Sequence, residues 1–347
     1  ARSVAIGQGT LGLQNFTTAT NTLNTAVGYA AGDHVTTGTQ NTIIGGEAGD
    51  ALTVGTRNSV LGVAALTTDT KGSYSIALGY GALNAQNFTT ATDVYNTAVG
   101  ALAGAGITTG LYNTLIGGGA GDSLTDADSN VAVGQNSLAA DTLGSQSVAV
   151  GQGALAAQNF TTATAVYNVA MGYDAGSAAS TALYSTFIGA LAGDAITTAN
   201  NNVAVGKSAL SAETSGANCT AIGTNSLSSQ NVAGGTNVAN TAVGYDAGIS
   251  VTSGVQNTFI GAYAGDGTDD ANHCTAVGYL ALSANTGDSA TAVGMNAAQK
   301  ATGQNTTAVG KDTLLNVTSG GNNIGLGQQA GITGSPGGNQ TTGNNAV

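Results

Sequence analysis

The chain has almost none of the residues that build a thick globular core. Of its 347 residues, none is Trp, one is Pro and 5% are aromatic, while charged residues reach just 7%. Globular domains carry about 25% charged residues and a core of large side chains, so the composition is not that of ordinary globular domains. Disordered chains are rich in charge and proline, and this chain has neither. The scarcity of large side chains argues against ordinary globular domains, and the scarcity of charge and proline argues against a disordered chain.

Basic residues are also scarce. Six Lys and Arg stand against 18 Asp and Glu, which gives a net charge of −12. Nucleic-acid binding needs Lys and Arg to neutralise phosphates, so we predict no nucleic-acid partner. No segment approaches the roughly 18 apolar residues of a membrane helix and no signal peptide is visible, so we predict no membrane insertion in this segment. Because it begins without Met and ends inside a repeat motif, we interpret the chain as part of a longer protein.

What the chain has in quantity is a short repeat of small residues. The unit is a small polar residue, a Thr or Val, usually an Ala, an aliphatic residue and a Gly, as in 24–28 and 96–100. Most steps between these glycines are 17-residue coils, as from Gly28 to Gly45, and one step in every four is a 21-residue coil, as from Gly7 to Gly28. The motif glycine recurs in this way as far as Gly327.

Four coils make one super-repeat, which begins again at equivalent glycines: Gly7, Gly79, Gly151 and Gly223. The array is continuous over 1–347, and we treat it as a single domain. Its super-repeats are 3–74, 75–146, 147–218, 219–289 and a partial 290–347.

The length of the repeat decides the predicted architecture. Helical repeats need about 33 residues or more and propeller blades about 40, whereas 16–21 residues fit one turn of a β-solenoid. We therefore predict an all-β parallel β-solenoid of about nineteen coils. Side chains alternate along a strand, so Thr25 and Val27 point to one face and Ala26 to the other, and none is charged. A strand that is apolar on both faces must be covered on both, which predicts that another chain covers the outer face.

Two segments of the repeat resemble a known family. The segments 3–9 and 147–153, SVAIGQG and SVAVGQG, resemble the head repeats of YadA-like trimeric autotransporter adhesins, and 240–248 is similar to repeats of phage tail-fibre proteins. The resemblance spans essentially the whole chain. It implies a left-handed parallel β-roll in which three chains pack around an axis, that is, a homotrimeric fibre. The 17-residue and 21-residue coils are longer than the adhesin coil.

The sequence offers little chemistry outside the repeat. We find no acid–base or nucleophile constellation, so we predict that the chain is not an enzyme and has no cofactor. The segment 7–12 matches G-x-G-x-x-G, but it opens no helical pattern and we interpret it as a turn. Cys219 and Cys274 occupy one motif position three coils apart, about 14 Å along the stack, so we predict no disulfide bond between them.

Acidic residues follow turn glycines in several coils. One position of the third coil in each block is always Asp: Asp50, Asp122, Asp194 and Asp266. These aspartates lie four coils apart and cannot share an ion, so we interpret each as the cap of its own turn. The cluster Asp266, Asp269 and Asp270 is the best remaining candidate for a cation site.

Each 21-residue coil is longer than its neighbours by four positions. A stacked core cannot absorb them, so we predict loops that bulge outwards once per super-repeat, about 19 Å apart. Phe16, Phe88 and Phe160 hold one place in the first three loops. Insertions in solenoids often form the binding face, which makes these three residues candidates for ligand binding. The alternative, which we favour, is that each Phe covers the coil edge or docks on an adjacent chain.

The repeat and the resemblance together predict a non-enzymatic structural fibre. It would form the shaft or head of an extracellular assembly, on a cell surface or a virion, that serves display and adhesion. The predicted partners are further copies of the chain in a homotrimer and a ligand on a host surface or matrix. The alternative is a self-assembling extracellular filament or sheath subunit, whose ends stack on further copies.

Overall fold

The chain is a parallel β-solenoid of about nineteen turns, as the repeat spacing predicts. The computed structural model describes residues 2–234 and 237–331, and its regular structure there is short β-strands with no α-helix. In these two ranges no helix is long and apolar enough to cross a membrane. The solenoid divides into two compact units, Ala1–Asp174 and Ala175–Val347.

In the first unit each turn contributes one three-residue strand, the motif strand, to a parallel sheet. Pairs of two-residue strands also form where a 21-residue coil meets the coil before it, β5 with β7 and β11 with β13. The strands are β1 (Val4–Ile6), β2 (Thr25–Val27), β3 (Thr42–Ile44), β4 (Ser59–Leu61), β5 (Gly72–Ser73), β6 (Ile76–Leu78), β7 (Thr92–Asp93), β8 (Thr97–Val99), β9 (Thr114–Ile116), β10 (Val131–Val133), β11 (Gly144–Ser145), β12 (Val148–Val150), β13 (Thr164–Ala165) and β14 (Val169–Met171).

The second unit has the same construction, with every strand in the described part being a motif strand. They are β15 (Thr186–Ile188), β16 (Val203–Val205), β17 (Thr220–Ile222), β18 (Thr241–Val243), β19 (Thr258–Ile260), β20 (Thr275–Val277), β21 (Thr291–Val293), β22 (Thr307–Val309) and β23 (Ile324–Leu326). Equivalent motif positions pair in register, as Ala242 does with Phe259. The register is kept because each coil brings the same motif position back beside the preceding strand, whether the coil has 17 residues or 21.

The motif glycine allows the coils to approach each other closely. Gly28 has a φ of +139°, and a Cβ on it would lie 2.4 Å from the carbonyl oxygen of Gly45 in the next coil. No side chain fits at that distance, and the positive φ itself favours glycine. Close stacking of the backbone therefore explains why this position is Gly in coil after coil.

Side chains of the motif strands alternate as predicted. Ala26 at the centre of β2 is fully buried, whereas Thr25 and Val27 on either side are only partly buried. The coil interior is narrow, and in the first and fourth coils of each block it is filled by the central strand residue, usually alanine, together with one leucine from the following turn. Leu83 and Leu138 are two such leucines, and both are completely buried.

The third coil of each block departs from this pattern. Its strand centre holds a larger residue, and the neighbouring turn positions are glycine. In the first unit, a Cβ on Gly104 or Gly121 would lie 2.7 or 2.8 Å from the methyl carbons of Leu115. In the second unit, a Cβ on Gly265 would lie 2.6 Å from the ring of Phe259. The large side chains occupy the space that the glycines leave, so core volume is balanced between adjacent coils.

Candidate functional site

The outward side chains of the motif strands form a strip in each unit, which we call the outer strand face. It comprises the first and third residues of every motif strand, and none of them is charged. In the first unit the third position is always aliphatic or Met: Ile6, Val27, Ile44, Leu61, Leu78, Val99, Ile116, Val133, Val150 and Met171. In the second unit it is Ile188, Val205, Ile222, Val243, Ile260, Val277, Val293, Val309 and Leu326.

In a single chain the residues of this face are exposed or only partly buried. Leu61 is 52% exposed and Met171 is 48% exposed, although both are large apolar side chains. Soluble monomers rarely expose contiguous apolar patches of more than a few hundred Å², and larger patches commonly mark an interface. A strip that repeats its aliphatic residue in every coil is such a patch.

Exposed tyrosines form a second ordered surface in the first unit. Tyr74, Tyr95 and Tyr112 precede consecutive motif strands, and their rings stack with centroids 4.9 and 6.0 Å apart. The guanidinium of Arg57 lies 5.1 Å from the centre of the Tyr74 ring. Because each ring lies against the face of the next, the stack joins successive coils and leaves few ring faces free for a ligand.

Inside the coils, a column of buried asparagines closes the 17-residue turns. Asn113 donates from Nδ2 to the carbonyl of Ala127 in its own coil at 2.7 Å, and its Oδ1 accepts from the Asn130 amide of the next coil at 2.9 Å. The side chain thus bonds within its coil and to the next one. We call this column the asparagine ladder.

The 21-residue coils close with a different group, which we call the carboxylate clamp. Asp69, fully buried in the coil before the loop, accepts from the amides of Gly72 at 3.0 Å and Phe88 at 3.1 Å, and from Gln86 Nε2 at 2.6 Å. Gln86 in turn accepts from Asn96 of the asparagine ladder at 3.0 Å. Burial raises the pKa of the Asp69 carboxyl, and these hydrogen bonds oppose the rise.

The clamp recurs at the next two long coils. Asp141 and Gln158 repeat it, with Oδ2 and Nε2 again 2.6 Å apart. In the second unit Glu213 and Gln230 take these places at 2.9 Å, and Gln230 Nε2 also lies 3.2 Å from the sulfur of Cys219. The sequence analysis missed these carboxylates. Their signal is an acidic residue one 17-residue coil before each loop glutamine, repeated in successive super-repeats.

The structure places two of the three loop phenylalanines, Phe88 and Phe160, beside the clamp. Phe88 and Phe160 are 7% and 8% exposed, and their amides donate to Asp69 and Asp141. Phe16, in the first long coil, is only partly buried. The residues after Phe88, at positions 89–91, are exposed, so the extra length of the coil does form an outward loop. The ring itself is turned away from solvent.

The three predicted cation candidates, Asp266, Asp269 and Asp270, differ in burial and in hydrogen bonding. Asp266 is half-buried, and burial raises the pKa of its carboxyl. Asp269 accepts a hydrogen bond from Thr252 of the previous coil, and Asp270 is exposed. Across residues 2–234 and 237–331, no three His, Cys, Asp or Glu side chains form a group that could hold a metal ion.

The two cysteines are free and buried, as predicted. Cys274 takes the place of a ladder asparagine, and Cys219 that of the serine that begins the other long coils, such as Ser75. The amide of each donates to the preceding rung: Cys219 N to Asn202 Oδ1 at 2.8 Å, and Cys274 N to Asn257 Oδ1 at 2.8 Å. Burial raises the pKa of both thiols, which disfavours the reactive thiolate. They are therefore core residues of the solenoid.

No protein-family model matches the chain, and a search of curated proteins finds no match to it.

Proposed function

We propose that the chain is a non-enzymatic structural fibre segment, a shaft or head that serves display and adhesion outside a cell, on a cell surface or a virion, and that works as a homotrimer. The observation that carries the proposal is the outer strand face. It is uncharged in both units and repeats an aliphatic side chain in nearly every described motif strand. Such a face is stable in water when another apolar surface covers it.

In the proposed assembly three chains, each wound as a left-handed β-roll, turn their outer strand faces towards a common axis. Burial of apolar surface contributes roughly 25 cal/mol per Å², so one aliphatic side chain in one coil contributes little. The contribution accumulates over about nineteen turns. A repeated weak contact of this kind suits a fibre, because stability grows with length.

The first test is the mass of the particle in solution. We expect light scattering to give three times the chain mass, and a stable, soluble monomer would contradict the proposal. Electron microscopy then separates a discrete trimer from the alternative, a filament or sheath subunit. Copies joined end to end in open rows would favour the filament.

The second test places a charge on the outer strand face. Val99 lies between Leu78 and Ile116 of the adjacent coils, and Val99→Asp should lower the stability of the trimer by several kcal/mol, on the order of the cost of burying an unpaired charge three times. The control is Ala91→Asp, which adds the same charge to the exposed loop of the same coil. If both variants melt like the parent, the face is solvated and the proposed interface is wrong.

A further inference from the structure

Three outward loops begin with a tripeptide that N-glycosylating enzymes use. The segments 15–17, 87–89 and 159–161 all read Asn-Phe-Thr, and so match the acceptor pattern Asn-x-Ser/Thr. The pattern requires an accessible asparagine amide and a hydroxyl two residues later. In an asparagine- and threonine-rich chain such matches arise by chance, so the side-chain surroundings must decide.

At these loops both groups are accessible. Asn87 and Asn159 are exposed, and their Oδ1 atoms accept from Thr70 and Thr142 of the previous coil at 3.3 and 3.2 Å. These bonds engage Oδ1 only, and in the described parts of the chain Nδ2 of either residue has no hydrogen-bond partner. Thr89 in the same loop is also exposed, and within those parts no hydrogen bond engages its hydroxyl.

The fourth long coil keeps the asparagine and its contact but lacks the threonine. Asn231 is exposed, and its Oδ1 accepts from Thr214 at 3.0 Å, as Asn87 and Asn159 do from their own partners. It is followed by Val232 and Ala233, so the acceptor pattern is absent. The hydroxyl two residues after the asparagine is therefore not part of the coil structure.

In two other matches to the pattern the amide nitrogen is already hydrogen-bonded. Asn218 donates from Nδ2 to Asn237 at 2.8 Å, and Asn305 donates from Nδ2 to Asn322 at 3.1 Å. The threonines of these two tripeptides lie in motif strands β17 and β22. A further match in the described ranges begins at Asn316, which is only partly exposed and accepts from Lys300. Asn15, Asn87 and Asn159 are all exposed, and this exposure together with an unbonded Nδ2 in the described residues distinguishes them from these other matches.

We propose that Asn15, Asn87 and Asn159 are acceptors of an N-linked glycan. The inference rests on the proposed location outside the cell, where exported chains meet such enzymes. The amide nitrogen attacks the anomeric carbon of an activated donor, a glycosyl diphosphate. A C–N bond forms, the C–O bond to the diphosphate breaks, the diphosphate leaves with the electron pair, and the nitrogen loses one proton. The glycans would then stand about 19 Å apart along the first unit.

The first test uses protein isolated from its natural source. Mass spectrometry of its peptides should find a glycan on all three loop asparagines. If all three asparagines are unmodified, the proposal is overturned. The particle mass is measured separately, so a trimer with bare asparagines overturns this inference alone, whereas a glycosylated monomer overturns the proposed assembly alone.

Variants secreted from eukaryotic cells test whether the loop asparagines are modified in preference to the other matches to the acceptor pattern. Asn87→Gln and Thr89→Val should each remove one glycan, and Ala233→Thr should add a fourth, because Asn231 has the same contacts as its counterparts. Asn218→Gln should change nothing, since its nitrogen is already bonded. Glycans on Asn218 and Asn305 with bare loops would overturn the selection. Each variant is compared by particle mass and melting temperature, so that misfolding is recognised.

Discussion

The 17-residue and 21-residue coils solve one problem, the closure of a turn over a narrow core, in different ways. The short coil uses a neutral side chain, Asn113, which bonds a carbonyl of its own turn and an amide of the next. The long coil uses a buried carboxylate, Asp69, with Gln86 as the intermediary to the ladder. The difference follows from the number of donors to be satisfied, because only an ionised carboxylate accepts on both oxygens without donating.

Removing the carboxylate should give the largest effect. Asp69→Ala leaves the amides of Gly72 and Phe88 without an acceptor, together with one of the two Nε2 hydrogens of Gln86, whose other hydrogen still bonds Ser75. Each buried unsatisfied donor costs about 1–3 kcal/mol. We expect a loss of about 5 kcal/mol, measured by chemical denaturation, with fast hydrogen exchange in the loop. The control Asp93→Ala removes the same charge from an exposed position of that loop. Equal stability of the two variants would show that the clamp is dispensable.

The loop phenylalanines should give the next effect. Phe88→Ala should cost about 3 kcal/mol, at the lower end for truncation of a buried aromatic residue, and Phe16→Ala should cost less because Phe16 is more exposed. Thermal melting of the single variants and of the triple variant with Phe160→Ala measures this. If the triple variant melts like the parent but loses adhesion, the three residues bind a ligand and our structural interpretation of them is wrong.

Breaking the ladder in a short coil should cost less than breaking the clamp. Asn113→Ala leaves one amide and one carbonyl unsatisfied, and we expect a loss of about 2 kcal/mol. The control is Asn21→Ala, which removes the same side chain from an exposed position of the first long coil. Hydrogen exchange should locate the loss in the coils on either side of Asn113. A loss as large as that of Asp69→Ala would remove the distinction between the two closures.

The smallest expected effect is the dependence on pH. Burial raises the pKa of the turn carboxyls Asp50, Asp122 and Asp266 above 3.8. The unfolded chain therefore loses these protons at a lower pH than the folded chain, so stability falls as pH rises from 3.8 through the raised values. We expect a higher melting temperature near pH 4 than at pH 7, and Asp122→Asn should weaken the dependence. A melting temperature that falls steadily on acidification would contradict the sign.

The fold was predictable because its causes lie within one coil. The regular spacing of the motif glycines, mostly 17 residues with one 21-residue step per block, gives the turn length. The alternation of Thr25, Ala26 and Val27 shows which side faces the core. The clamp was not predictable by the same means. Asp69 and Gln86 lie in successive coils and meet only when those coils stack, while local rules assign a turn aspartate to its own turn. The phenylalanines were found as a repeated position, but their burial depends on the adjacent coil.

The alternation of large side chains and glycines in the core also specifies the order in which the coils stack. A chain of nearly identical turns could fold with one turn skipped, since every motif strand can pair with every other. In the correct order the ring of Phe259 meets Gly248 of the preceding coil, whereas a preceding coil shifted by one step would present Leu227 and collide. Folding with one coil skipped is therefore unfavourable. A block of four coils is the unit that can be duplicated or lost while the core packing is kept. Length can change between related chains in those increments without any core being rebuilt.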